Sequence, residues 1–166
     1  MNALWSYFWP AFAAGLLIGA VAGLMAFRRR AKRNLMLAAG FAATLVLVAL
    51  WHGPLGGADR FSVLVERAAR QTLDNYEMTK VTARLHHGPL SRRLLLAGPA
   101  DAFQTSELVR IMSTLPGVSR AQWSTLPAGP PLILEGAGVG LLGFLFGLLL
   151  AYLVELRRRY NAQWNW

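Results

Sequence analysis

The sequence predicts a helical membrane protein: three transmembrane helices plus one small α+β domain outside the lipid, with αββαβ order. Two observations carry this. The apolar runs 4–27, 35–51 and 132–153 contain no lysine or arginine. The stretch between the second and third runs, 52–130, instead mixes helical and strand-like periodicities with turn residues between them. The chain therefore divides into 1–51 with two spans and a basic loop at 28–34, the outer domain 52–130, and 131–166 with the third span and a basic, aromatic tail.

A helix needs about 20 mostly apolar residues to cross a hydrocarbon core of roughly 30 Å. The first and third runs meet this. The second is at the low end of the range, with Trp51 and a basic loop as suitable ends. As helices, all three satisfy their own backbone groups, which lipid demands. The first run differs from a cleavable signal peptide, because its first basic residue, Arg28, follows the apolar stretch instead of preceding it. An uncleaved N-terminus is the expectation.

The net charge of +9 would point to nucleic acid in a soluble chain. Its distribution points elsewhere. Arg28, Arg29, Arg30, Lys32 and Arg33 fill the loop after the first run, and Arg157, Arg158 and Arg159 follow the third. Basic residues hugging span ends mark the cytoplasmic side and attract anionic lipid headgroups. The expected orientation is N-terminus and residues 52–130 outside, in the periplasm of a bacterial inner membrane, and C-terminus inside. Trp5, Tyr7, Phe8, Trp9, Trp51, Tyr160, Trp164 and Trp166 lie where interfacial anchors belong.

Glycines form one stripe on each of two spans: Gly15, Gly19 and Gly23 on the first, and Gly136, Gly140, Gly143 and Gly147 on the third. Small-residue stripes let helices approach closely in lipid. They serve packing within the chain, or an interface with another subunit or a second copy. No span carries a charge at its centre, where proton relays and carrier sites place ionisable groups. Glu135 and Glu155 fall near the ends of the third span.

The outer domain opens with HGPLGGADR, a turn-rich linker in which Asp59 can cap a helix. A helical rhythm runs from Arg60 to about Tyr76. Residues 80–87 alternate as a half-buried strand, HGPLS turns the chain, and RRLLLAG is a second strand. A second helix covers 100–115, with Phe103, Leu108, Ile111, Met112 and Leu115 as its buried face. Pro116 and Gly117 stop it, and 118–123 is the last strand. Two helices over one face of a small sheet is the expected layering.

Residues from about Leu73 to Ser124 resemble a BON domain, a module of bacterial envelope proteins. The resemblance rests on Gly88 in the hairpin, on LLLAGPAD at 94–101, and on the corner LPGVSRAQW at 115–123. Ala121 stands where the family's second valine is typical, and Pro89 after Gly88 is unusual. The resemblance implies the αββαβ fold and a binding module associated with phospholipid surfaces and envelope assemblies. It implies no catalytic residues.

Nothing in the sequence builds an enzyme site or calls for a cofactor. There is no P-loop, nucleophile elbow or HExxH arrangement, and no cysteine. Neighbours on a strand point to opposite faces, so His86 and His87 are poorly placed to share a metal. His52 falls at a membrane edge. Arg84, Arg92 and Arg93 form a candidate outer basic patch for anionic lipid or envelope acids, or a sheet edge defended by charge. The function expected is a non-enzymatic scaffold or accessory subunit of a cell-envelope membrane complex. Alternatives are a stand-alone lipid- or stress-responsive protein binding phospholipid, and a channel or transporter subunit. Membrane lipids and another membrane subunit or a second copy are the expected partners, without nucleic acid.

Overall fold

The computed structural model describes residues 2–28, 30–123 and 129–163, and for Arg30 and Gln163 the backbone alone. Arg29, the Arg30 side chain, Ser124, Trp164 and Trp166, all named above, lie outside the described residues. The elements are α1 (Ala3–Arg28), a 3-10 turn (Arg30–Lys32), α2 (Arg33–His52), α3 (Gly57–Asn75), β1 (Thr82–His87), β2 (Leu90–Ala97), α4 (Ala102–Ser113), β3 (Arg120–Trp123) and α5 (Leu132–Gln163). They form two compact units: one of Met1–Tyr7 with Gly53–Glu135, the other of Phe8–His52 with Gly136–Trp166.

The second unit is helical. Helices α1, α2 and α5 are 26, 20 and 32 residues long, and each is long and apolar enough to cross a membrane. Helix α5 continues well beyond the apolar stretch that ends at Leu153, as far as Gln163. Nothing in LRRRYNAQ breaks a helix, and Glu155 clamps the turn by accepting from Arg159 Nε at 3.0 Å, with Arg158 at 3.9 Å.

The glycines set how these helices meet. A Cβ on Gly15 would collide with the Gly140 carbonyl, and one on Gly19 with the Phe144 carbonyl. A Cβ on Gly23 would lie 2.6 Å from that of Ala151. From the other side, Gly143 abuts Phe12 and Leu16, and Gly147 abuts Leu16 and Ala20. Numbers rise together on both helices, so α1 and α5 are parallel. Helix α2 runs the opposite way: Gly40 faces Ala22 and Phe144, while Val48 reaches Gly140. Gly40, Thr44 and Val48 are the buried positions of α2, and the Thr44 hydroxyl donates to the Gly40 carbonyl at 2.9 Å. That bond satisfies a polar group inside an apolar unit without drawing on the neighbouring helices.

The first unit is a three-stranded sheet in the order β1-β2-β3. β1 and β2 are antiparallel with a register shift between Leu85 and His87; β3 lies parallel to β2, joined through α4. The hairpin turns at a cis Gly88–Pro89 bond. Helix α3 packs on β1, and α4 on β2 and β3. Phe61, Val65, Ala69 and Leu73 of α3 and Leu108 and Met112 of α4 are buried, as are Leu85, Leu94, Leu96 and Ala121 of the strands. Burying a side chain such as Phe61 contributes about 1.5–3 kcal/mol. Tyr7, at the start of α1, also belongs to this core, its ring centroid 5.7 Å from that of Phe61.

Two expectations change here. Helix α3 starts at Gly57, not near Asp59; Gly56 is its N-cap, with φ +70 and no side-chain cap, and Asp59 sits in the first turn where the helix dipole favours it. Phe103 is 75% exposed instead of buried, because the capping box of Asp101 and Gln104 places it on the outer side of the first turn of α4. Helix α3 ends close to the expected Tyr76, in a Schellman motif with a non-glycine residue in the left-handed position. Glu77 has φ +59, its N–H donates to Asp74, and Met78 N–H donates to Leu73.

Candidate functional site: an arginine-bearing sheet face

Strand alternation assigns each arginine to a face. Arg84 pairs with Leu95, and Arg93 with Arg120. The positions sharing the face away from α3 and α4 are therefore Thr82, Arg84, Ser91, Arg93, Leu95, Ala97, Arg120 and Gln122, with Ser91 fully buried beside its bridge partner Pro131. Three are arginines and none is acidic. Arg84, Arg120 and Thr82 are exposed, and Arg93, Leu95 and Gln122 half-buried. Arg93 and Arg120 are register partners, so two like charges lie side by side. The Arg93 side chain also packs against Gly129, where an added Cβ would lie 2.6 Å from Nε, so this part of the face is covered by the segment before α5.

Arg92 does not belong to this face. Its Nε donates to the Gly117 carbonyl at 3.1 Å, and its side chain meets Glu135 at 3.0 Å, with 23% and 25% of the two side chains exposed. The patch expected from Arg84, Arg92 and Arg93 thus divides. Arg92 ties the α4–β3 corner to the first turn of α5, while Arg120 takes its place beside Arg93. The period-2 rule already separates Arg92 from Arg93. Arg120 joins Arg93 only through the parallel register of β3, which adjacency in sequence does not reveal.

The remaining polar groups of this unit serve the fold. Glu66 accepts the Leu85 N–H at 2.9 Å and the His87 Nε2–H at 3.1 Å, covering the outer edge of β1. His86 Nδ1–H donates to Pro89 at 3.1 Å, so the two histidines turn to different partners. Among the described residues no three His, Asp or Glu side chains gather as metal ligands. At Gly117 (φ +106) any side chain is strained by the backbone, and an added Cβ would lie 2.6 Å from Val65 Cγ2.

In the helical unit, Gly15, Gly19, Gly23, Gly140, Gly143 and Gly147 face other helices of the same chain, and Gly136 is buried. The parallel course of α1 and α5 brings Arg28 and Arg157–Arg159 to one end of this unit. Lys32 and Arg33 lie at the turn into α2, beside the end of α1. Comparison with protein-family models, with curated proteins and with solved structures finds no match to this chain.

Proposed function

We propose that this chain is a non-enzymatic inner-membrane scaffold or accessory subunit of a cell-envelope complex, in which a BON-like domain outside the membrane binds an anionic surface of a partner. The observation that supports it most is the sheet face that carries Arg84 and Arg120, both exposed, with no acidic residue among its described positions. A catalytic site needs a nucleophile, base or metal held in a cleft; a flat face bearing guanidinium groups suits recognition of carboxylates or phosphates. The basic ends of α1 and α5, together with the loop between α1 and α2, favour an orientation with those ends in the cytoplasm and 52–130 in the periplasm of a bacterial cell. Because the glycine faces of α1 and α5 are occupied by one another, the outer domain is the main contact surface in this reading, and the exposed sides of the helices face lipid.

Blue-native electrophoresis of mild-detergent extracts, with mass spectrometry of each band, tests this. The wild-type chain is expected to co-migrate with a partner, and Arg84→Gln/Arg120→Gln to migrate alone at an unchanged melting temperature. A wild-type chain that migrates alone contradicts it. The same face favours one other reading, a stand-alone protein whose domain binds anionic phospholipid. Full-length protein that binds added phosphatidylglycerol vesicles through these arginines, and has no protein partner, selects that reading.

A further inference from the structure

Where α1 and α5 end together, a pocket of about 680 Å³ is lined by Phe27, Arg28, Glu155, Arg158, Arg159 and Ala162. Its volume lies within the roughly 300–1,000 Å³ typical of small-ligand sites. We propose that this pocket holds the headgroup of one anionic phospholipid carrying two phosphates.

The charge supports two phosphates. Three arginines and one glutamate line the pocket, a net of +2. Glu155 is the most buried of the charged groups paired here, with 14% of its side chain exposed, and engages Arg159 through Nε at 3.0 Å. That bond fixes the guanidinium and leaves its two terminal nitrogens for other acceptors. Arg158 sits 3.9 Å from the same carboxylate, and Arg28 has no acidic partner among the described residues. Forked guanidinium groups of this kind suit phosphate oxygens.

The surroundings favour a lipid over a soluble anion. Phe27 lines the pocket and packs edge-on against Tyr152, centroids 5.9 Å apart, where the apolar stretches of both helices stop. A headgroup there keeps its acyl chains beside the exposed apolar side chains of α5, among them Leu149, Tyr152 and Leu153. Basic pockets between membrane helices bind headgroups of this class. The inference rests on reading the three helices as membrane-spanning, and it is independent of which leaflet they face.

The test uses the full chain in phosphatidylcholine nanodiscs containing either cardiolipin or phosphatidylglycerol at matched charge, with retained lipids counted by native mass spectrometry. One cardiolipin is expected to be retained per chain, preferred about thirtyfold over phosphatidylglycerol. In Arg28→Gln/Arg158→Gln the preference falls to near parity. Lys32→Gln/Arg33→Gln, which removes equal charge outside the pocket, keeps it. Inorganic phosphate leaves the lipid in place. Wild-type parity, equal loss in both double variants, or displacement by phosphate each overturns the site; wild-type parity does so even if a variant fails to fold. Extraction of the wild-type chain from membranes by alkaline carbonate instead overturns the membrane reading beneath it.

Discussion

Replacing Gly143 by alanine tests the close packing of α1 on α5. The added Cβ falls against the Phe12 carbonyl oxygen, 3.0 Å from its carbon and 3.1 Å from Leu16 N. These are backbone atoms of a helix and cannot swing aside, so the helices must separate by roughly 0.5–1 Å, which forfeits a quarter to a half of each dispersion well across the contact. With about 40 atom pairs at ~0.15 kcal/mol each, the loss is roughly 1.5–3 kcal/mol, in line with the typical cost of overpacking, about 1–3 kcal/mol. Gly138 lies on the same helix, where a Cβ meets nothing within 4 Å. Its alanine variant is expected to be neutral or more stable by up to about 1 kcal/mol. Unfolding in mixed micelles, titrated with a denaturing detergent and followed by tryptophan fluorescence, compares the two. Equal midpoints, or a more stable Gly143→Ala, would refute the packing argument.

Four further outcomes concern the sheet-bearing unit. Glu77→Gly is expected to raise stability by about 1 kcal/mol, since glycine relieves the left-handed strain, whereas Gly117→Ala lowers it by about 2 kcal/mol or more; thermal unfolding reads both. Arg92→Gln removes the bonds to Gly117 and Glu135 and costs about 1–2 kcal/mol, seen as faster proteolysis of residues 53–123. The hydrogen bond from Arg110, with its charge, holds the Glu107 carboxyl below the usual carboxylate range. Its folded value is lowered, so the favourable term is present above the ordinary carboxylate range and lost as pH falls through that lowered value. An NMR titration should show the Glu107 midpoint returning to the ordinary range in Arg110→Gln.

The apolar spans and the αββαβ element order were legible because period and length are local properties. The stretches 4–27, 35–51 and 132–153 match α1, α2 and the apolar part of α5. What was less legible depends on pairing or on capping. Arg120 joins Arg93 only through the parallel register of β3 with β2. Phe103 fits a helical apolar stripe, yet the Asp101–Gln104 box starts α4 so that this position faces outward. The Arg157–Arg159 segment read as a tail because its charges end the span, but charge does not end a helix whose Glu155 pairs one turn ahead. The glycine stripes announced close approach; that they meet each other depends on the parallel course of α1 and α5.

The most direct test of the proposed binding role is photo-crosslinking in intact cells, with a benzophenone amino acid at Gln122 on the arginine-bearing sheet face or at Gln71, an exposed position on α3. A protein adduct of discrete mass from Gln122, lost in the Arg84→Gln/Arg120→Gln variant and absent from Gln71, is the predicted result. Adducts of equal yield from both positions, or none from Gln122, would contradict the claim that this face binds a partner.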